Sequence, residues 1–322
     1  MGCGASAGPY PAEFPASALP AGLAVLDQKD AAAVQQTVDV VARAFAGTAT
    51  AAPPGEVSDC QCKQVRGGAP CHTCMHMFVS RARTLPLSLP AHECVHAPRS
   101  CVCVAMVCMM QFDWLLPDVP DRKDPEQLKE RVHRLVAPLG MCVHKAFLLG
   151  ERGLILVARD DSGGKITGCV VLYFYPKKYG VDGMMLDMKA CSAAGMSKWS
   201  KTQSAIMQSK RMAALDAGCQ KLHKAHGSTP HIFVQIVAVD PEEHGKGLGK
   251  NSMQAVNKIA DDLKLPLYLE CDGKNEAFYT KCGFAKVGTE DLTATEKSGP
   301  AVYKNLLAMR REVAAATVSV PN

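Results

Sequence analysis

The sequence predicts an α/β protein built on a mixed sheet, and three observations support this prediction. Apolar, strand-like runs alternate with amphipathic segments of helical spacing. A turn with three alternating glycines joins one apolar run to a helix after Val239. The composition, 48% hydrophobic and 21% charged, is that of a globular chain. The longest apolar run, Cys101–Met110, is far shorter than the roughly 18 residues of a membrane-spanning helix.

The first half of the chain contains two predicted helices and three predicted strands. A strand at Leu23–Leu26 precedes Asp30, an N-cap residue for a helix. A second helix is predicted to begin at Asp124, and a polar turn at 160–165 joins two strands. The apolar positions at helical spacing are Val34, Val38, Val41 and Phe45 in the first helix and Leu128, Val132, Leu135 and Val136 in the second, and the two strands are Gly153–Arg159 and Ile166–Tyr175.

The second half alternates strands and helices more regularly. It opens with a helix over residues 198–226, in which we expect Ile206, Met207 and Met212 to pack in the core. The elements predicted after it are a strand at His231–Val239, a helix at Gly245–Leu263, a strand at Leu267–Cys271, a short helix at Asn275–Lys281, strands at Phe284–Val287 and Ala301–Leu306, and a tail over 307–322.

The net charge and the cysteine content indicate the partners and the cellular environment of the protein. The formal net charge is +5, without a dense basic cluster, so no nucleic-acid partner is predicted. A short secreted scaffold would pair its cysteines and begin with a signal peptide. This chain has 15 cysteines and begins MGCGASAGPY. We therefore expect a reducing, cytoplasmic environment and mostly free thiols.

Residues 1–21 are rich in Pro, Ala and Gly and are predicted to be a disordered leader. Gly2 and Ser6 fit the pattern for N-myristoylation, and Cys3 could accept a palmitoyl chain. Two acyl chains would anchor the protein at a membrane, whereas one holds it marginally. A leader of small residues that matches this pattern by chance is the alternative.

Residues 57–111 interrupt the predicted domain and hold eight of the cysteines. One interpretation is a zinc site, although its ligand spacing matches no standard zinc motif. The candidate ligands are Cys60, Cys62, Cys71 and Cys74. We prefer a translated intron: Val57-Ser58 can be encoded as a 5′ splice site, Gln111 as the end of a 3′ site, and the insert keeps the reading frame. A disordered loop remains as a third interpretation, and transcript sequencing across Glu56–Phe112 separates them.

The segment 231–284 carries the strongest chemical signal. Gly245, Gly247 and Gly249 lie immediately before an amphipathic helix. Glycine lets a ligand approach the backbone closely, and the first amides of a helix lack internal partners at the positive end of the dipole. Such a turn is a phosphate cradle, with Lys246 and Lys250 adding charge. The spacing fits neither a Walker A loop nor G-x-G-x-x-G.

Two motifs in this segment resemble the GNAT superfamily of acyl-CoA-dependent N-acetyltransferases, in the style of small-molecule enzymes of microbial eukaryotes. The family's Q/R-x-x-G-x-G/A loop matches His244–Gly249, after the sequence VAVDPEE. Its second signature matches Leu269-Glu270 followed by Asn275–Phe284. The resemblance implies one GNAT domain over 22–306 outside the insert, with a mostly antiparallel mixed sheet splayed between its two central strands. One departure is His244, where the family has Gln or Arg.

The resemblance also implies acetyl-CoA as co-substrate, an amine as acceptor and no metal. The backbone of Val237, Ala238 and Val239 would pair with the pantetheine arm. The pyrophosphate would be held by the amides of the loop, whose residues are His244, Gly245, Lys246, Gly247, Leu248, Gly249 and Lys250. Tyr279 matches the general acid that protonates the leaving thiolate, and Asn275 matches a residue that contacts the cofactor arm.

The general base remains open between two residues. His231 has an ordinary pKa suited to proton transfer near neutrality, although a histidine at a strand end is often a plain surface residue. Glu270 on the neighbouring strand is the second candidate, and the proton could also leave through water. Cys271 and Cys282 are interpreted as packing residues.

The leading function is therefore acetyl transfer to a primary amine, with a small molecule favoured over protein lysines or N-termini. The alternatives are a CoA-binding protein without turnover, anchored at membranes by its acylated N-terminus, and a zinc-binding scaffold. The amine and the oligomeric state are not encoded in any motif that we find.

Overall fold

The computed structural model of the chain describes Leu19 and residues 22–46, 114–120, 123–175, 181–196 and 203–313, without the side chains of 181–184 and 203–206. Gly2, Cys3 and the four candidate zinc ligands lie outside these residues. The described strands are β1 (Leu23–Val25), β2 (Gly153–Arg159), β3 (Ile166–Tyr175), β4 (His231–Val239), β5 (Leu267–Asp272), β6 (Ala285–Glu296) and β7 (Gly299–Arg311).

These strands form one open sheet in the order β1-β2-β3-β4-β5-β7-β6. Strands β4 and β5 are parallel, and the other neighbouring pairs are antiparallel. Strand β4 pairs with β3 over its whole length. It pairs with β5 only at Ile232 and Phe233, opposite Leu267 and Tyr268. The two central strands therefore separate beyond Phe233, which confirms the predicted GNAT fold with its splay.

Six α-helices are described: α1 (Ala31–Ala46), α2 (Pro125–Leu148), α3 (Val181–Ala193), α4 (Gln203–His226), α5 (Leu248–Leu263) and α6 (Glu276–Lys281). The first begins as predicted from its capping residue, Asp30, and the second has a cap of the same kind at Asp124. The Ala33 amide donates to Asp30 at 2.9 Å, and the Glu126 amide donates to Asp124 at 2.9 Å. Each cap satisfies an amide that has no partner within its helix.

The helices cover both faces of the sheet. Tyr173 on β3 donates its hydroxyl to the Cys142 carbonyl of α2, and Phe233, its partner on β4, stacks near His223 of α4. Helices α2 and α4 therefore lie on one face. Helix α5 packs on β2, β3 and β4. Because α1 and α2 occupy the first face of those strands, α5 covers the second face with its buried residues Met253, Val256, Ile259 and Ala260.

One buried arginine joins the two chain segments that flank residues 47–113. The Arg131 guanidinium donates to the Ala46 carbonyl and to the Val119 carbonyl, each at 2.8 Å. Arg131 is fully buried, so both bonds are shielded from water. The ends of the connection between α1 and α2 are thus held side by side.

The structure corrects several predicted boundaries. Helix α3 was not predicted, because its sequence lacks a clear apolar stripe. Helix α5 begins at Leu248 and not at Gly245, because Gly245 and Gly247 have positive φ angles of 84° and 79°. The short helix begins at Glu276, and the long helix predicted from residue 198 is described from Gln203.

The C-terminal hairpin is longer than predicted. Strand β6 runs to Glu296 because it alternates mostly exposed polar residues, which give no apolar signal. Strand β7 extends to Arg311, and Leu307, Ala308 and Met309 are buried. Assigning 307–311 to a tail was therefore wrong.

Candidate active site

The ends of β4 and β5 bring the two sequence motifs together. Because the two strands are parallel, Val239 and Asp272 end at the same edge of the sheet. The glycine loop follows Val239, and a short 3₁₀ turn, Gly273–Asn275, follows Asp272 and leads into α6. The loop and the Asn275–Phe284 signature are therefore neighbours in space, as the resemblance predicts.

The turn after β4 is fixed by one carboxylate. Asp240 accepts a hydrogen bond from the Glu242 amide at 3.2 Å and forms a salt bridge with Arg43 of α1 at 2.8 Å. Lys165 lies 3.5 Å from the same carboxylate. Burial opposes ionisation, but these hydrogen bonds and charges hold the pKa of Asp240 below its ordinary value. The carboxylate anchors the start of the loop to α1 and to the β2–β3 turn.

Gly245 and Gly247 give the loop its shape. Both have left-handed φ angles, 84° and 79°, which side chains other than glycine adopt at a cost. Gly247 is the N-cap of α5, and the Asn251 amide donates to its carbonyl at 3.0 Å. The amides of Leu248, Gly249 and Lys250 precede this first helical bond, so they can donate to an anion. The loop from His244 to Gly247 is exposed.

The side chains of the loop contribute less than its backbone. His244 places Nε2 3.2 Å from the Val239 carbonyl, so its ring is directed back to the strand end. Lys246 forms an ion pair with Glu243 at 2.6 Å. Lys250 is exposed and close enough to Cys282 to lower the pKa of that thiol, which burial raises. Phosphate binding here would rest on amides, with Lys250 as the nearby cation.

The predicted pantetheine edge is the part of β4 that β5 leaves unpaired. Val237, Ala238 and Val239 pair with β3 on one side only. Their exposed fractions are 1%, 1% and 6%, so their side chains belong to the core. A ligand could therefore bind only their backbone N–H and C=O groups, as in the addition of a strand to a sheet edge.

Tyr279 lies beside the loop, on α6. Phe278, the residue before it, lies against the loop: a Cβ at Gly249 would be 3.6 Å from its ring. The Tyr279 ring is fully buried, with ring centroids 5.0 Å from Phe278 and 5.8 Å from Phe284. The helix thus fixes the phenol at the edge where β4 and β5 end.

Two buried polar side chains flank the point where the central strands separate. On β5, Glu270 lies two residues beyond the last paired residue, Tyr268, and is fully buried. On β4, a bulge places Gln235 out of register between Val234 and Ile236. Gln235 is 1% exposed, and its Nε2 lies 3.7 Å from the Cys142 sulfur. Both side chains are thus buried next to the start of the splay.

Glu270 has the protonation behaviour of a base that is active above neutrality. Burial raises the pKa of Glu270 to about 8, the Tyr268 hydroxyl beside it lowers the pKa, and the negative charge of Asp216 raises it. Perturbed carboxylates of this kind are typical of functional sites.

His231 is not brought to the reaction edge. It is the first residue of β4 and Val239 is the last, so about 26 Å of extended strand separates them. It is also fully buried and not a surface residue. This separation is too long for direct proton transfer to His231 from an amine next to Val239, where the resemblance places the reaction.

Sequence reasoning missed two residues of this region. Gln235 was placed on the His231 face by strand parity, but the bulge that singles it out has no sequence signal. His223 of α4 lies between His231 and Glu270, and it was overlooked because helix 203–226 shows no motif. Cys271 is fully buried, with its sulfur 3.6 Å from that of Met309, and Met212 is 1% exposed, so both pack in the core as predicted. Cys282 and Met207 are partly buried, and Ile206 lies outside the described side chains.

Within the described residues, no group of three or more His, Cys, Asp or Glu side chains is arranged to hold a metal ion. None of the described helices is both long enough and apolar enough to cross a membrane.

The fold and the loop match those that the resemblance to acyl-CoA-dependent N-acetyltransferases predicts. The profile of the acetyltransferase (GNAT) family matches residues 212–284, which include β4, the glycine loop, α5, β5 and α6. Within these residues the chain is similar to the GNAT family.

Solved structures of similar fold include acetyltransferases with different substrates. One is described as histone acetyltransferase HPA2 and related acetyltransferase from Corynebacterium glutamicum: 20% identity, 65% of this chain, 96% of that chain, TM-score 0.37. Another is arylalkylamine N-acetyltransferase 2 from Aedes aegypti, with 15% identity over 66% of this chain and 91% of that chain and a TM-score of 0.37. A third is an agmatine N-acetyltransferase, with 15% identity over 61% of this chain and 83% of that chain and a TM-score of 0.32. Similarity at these identities and TM-scores does not indicate the substrate of this chain.

Proposed function

We propose that the protein transfers an acetyl group from acetyl-CoA to the primary amine of a small molecule, by direct attack in a ternary complex. The observation that carries this proposal is the meeting, at one edge of the sheet, of an unpaired strand, a loop of left-handed glycines and a buried tyrosine. When bound, acetyl-CoA supplies a thioester carbonyl that a neutral amine can attack.

The residues of the edge suit the parts of this co-substrate. The amides of Gly247–Lys250 would bind the pyrophosphate, and the backbone of Val237–Val239 would pair with the pantetheine arm. Asn275 ends the turn that leads into α6 at the same edge. The Val239 amide would orient the carbonyl oxygen.

Two side chains would move protons. Tyr279 would protonate the departing thiolate, whose conjugate acid is ordinarily more acidic than a phenol, so the transfer depends on positioning. Glu270 would take the amine proton through bridging water, because the strand register places it level with Gln235, about 13 Å of extended strand short of Val239.

The test is an assay of CoA release by the full-length protein with acetyl-CoA and a panel of amines. The panel contains alkylamines, arylalkylamines, polyamines, aminosugars and a lysine peptide. We expect release that depends on a small amine and produces its N-acetyl derivative. Release with the lysine peptide alone would overturn the small-molecule proposal. Absence of CoA release with every amine of the panel would favour a CoA-binding protein without turnover.

Location is a separate proposal that the expected free thiols support. We infer a cytoplasmic protein, attached to membranes when Gly2 and Cys3 are acylated. Mass spectrometry of the N-terminal peptide from native cells tests the attachment, and a peptide without acyl mass would overturn it.

A further inference from the structure

Two buried side chains and one partly buried side chain, from three elements, form a line beneath the sheet. His231 opens β4, His223 lies in the last turn of α4, and Glu270 lies on β5. The Nε2 atoms of the two histidines are 3.0 Å apart. The other ring nitrogen of His223, Nδ1, is 3.8 Å from Glu270 Oε1.

The hydrogen bonds fix which nitrogen of each ring carries a proton. His231 Nδ1 is 2.7 Å from the Thr229 carbonyl, which can only accept, so Nδ1 is the donor. A neutral His231 therefore accepts at Nε2, and the His223 Nε2–H donates to it. The remaining nitrogen of His223, Nδ1, then has a lone pair, and this lone pair faces Glu270.

Exposure differs among the three side chains. Those of His231 and Glu270 belong to fully buried residues, whereas 15% of the His223 side chain is accessible to water. A proton on Glu270 therefore has one route to water along this line, and it passes through the His223 ring.

We propose that His223 carries to water the proton that Glu270 takes from the amine, and that His231 is a positioning residue that holds His223 in the accepting tautomer. This inference rests on the proposed function. Glu270 Oε1 and His223 Nδ1, 3.8 Å apart at rest, would first close to hydrogen-bond distance. The Glu270 O–H bond then breaks as a bond forms at His223 Nδ1, and the His223 imidazolium loses a proton to water. Glu270 is left as a carboxylate, ready for the next amine.

The ionisable surroundings favour short residence of the proton on His223. Burial, together with the charges of His231 and Lys145, lowers the pKa of His223 to about 3. Burial also lowers the pKa of His231, although the Thr229 carbonyl opposes this effect. Because both rings are neutral at rest, the lone pair of His223 is available. The other titratable or charged groups that act on the three residues are Asp216 and Cys219 of α4, Tyr268 of β5 and Arg310 of β7.

A metal site and a plain packing cluster are the competing interpretations. The metal interpretation fails because His223 directs one nitrogen to His231 and the other to Glu270, so the three groups do not converge on a point. Packing is a real contribution, since Tyr175 stacks on His231 at 5.2 Å with an interplanar angle of 2°. The test must therefore measure proton transfer and not stability alone.

The kinetic test replaces the carrier with side chains that keep its shape. His223→Gln can still donate to His231 but cannot carry a proton, so we expect kcat to fall at least tenfold with the KM for acetyl-CoA unchanged. His226→Gln, a histidine of the same helical turn outside the line, is the control and should stay within twofold. His231→Gln, which keeps an acceptor, should retain more activity than His231→Leu. Added imidazole should restore the rate of His223→Ala, and more basic imidazoles should restore more.

A second readout does not depend on activity. Nitrogen-15 NMR of the histidine rings in the full-length protein should show the Nε2–H tautomer for His223 and the Nδ1–H tautomer for His231. Opposite tautomers, or a His223→Gln variant with unchanged kcat beside an active wild type, would overturn the relay. If the wild-type protein shows no amine-dependent CoA release, this result would instead overturn the proposed function, on which the relay rests.

Discussion

At the scale of single residues, we propose Tyr279 and Glu270 for the two proton transfers that acetyl transfer requires. They come from different elements, α6 and β5, and both are fully buried. The sequence motif predicted both positions, because each lies within the second GNAT signature. The motif could not predict that His231 lies at the far end of its strand, since strand length and direction are properties of the sheet.

Replacing Tyr279 with Phe removes the proposed acid and leaves the ring packing. We expect kcat to fall by about 10²-fold, the lower end for a general acid, with acetyl-CoA affinity unchanged. Tyr173→Phe is the matched control, since it also removes a buried hydroxyl, one that donates to the Cys142 carbonyl. Steady-state kinetics with calorimetric binding check both. Equal rates in the two variants would contradict the role of Tyr279.

The raised pKa of Glu270 also predicts a dependence of stability on pH. The folded protein keeps the Glu270 proton up to about pH 8, whereas an unfolded glutamate loses it near 4.3. The folded state therefore binds more protons in this range, and the Glu270 contribution to stability falls as pH rises. The contribution of His223 to stability rises with pH, but only below about pH 6.5.

The pH window from 6.5 to 8 isolates Glu270. Wild type should lose about 2 kcal/mol of unfolding free energy relative to Glu270→Gln between these values. Urea denaturation of both proteins at each pH measures the difference. Parallel pH profiles would show that Glu270 is ionised in the folded state at neutral pH.

At the scale of elements, the glycine loop and the start of α5 form the proposed phosphate site. The sequence predicted the loop from its glycines, but it placed the start of the helix at Gly245. Only the φ angles show that the chain enters the helix through two left-handed residues. The sequence also gave no sign of α3, and the mostly exposed β6 lacked an apolar pattern.

Gly247→Ala tests the loop. A Cβ at Gly247 meets no atom within 4 Å, so the substitution costs the roughly 1–2 kcal/mol of a left-handed alanine and places a methyl group beside the amides that would face phosphate. We expect CoA affinity to fall at least tenfold. Gly150→Ala, at a φ of 57° beside the start of β2, carries the same kind of strain and should bind CoA like wild type. Calorimetry of both variants distinguishes the site from general strain.

At the scale of the whole molecule, the described fold closes without residues 57–111. Arg131 holds the carbonyls of Ala46 and Val119 side by side, so the connection between α1 and α2 begins and ends at nearly the same place. The nature of the insert stays a prediction from codon and frame arguments, because residues 47–113 lie outside the described part of the chain.

Deleting residues 57–111 should preserve the fold and CoA binding. The entropy of closing a loop grows only with the logarithm of its length, so we expect the unfolding free energy to rise by about 1 kcal/mol. Urea denaturation and CoA titration of the deletion variant against the full chain are the measurements. Loss of cooperative unfolding in the deletion variant would show that the insert is part of the domain.

The central claim is that this GNAT fold binds acetyl-CoA at the edge where β4 and β5 end. The most direct measurement is calorimetric titration of the full-length protein with acetyl-CoA and with CoA. We predict binding in the micromolar range, one site per chain, weakened by Gly247→Ala and unaffected by Tyr279→Phe. No heat of binding, or binding that Gly247→Ala leaves unchanged, would contradict the assignment of the loop and of the function built on it.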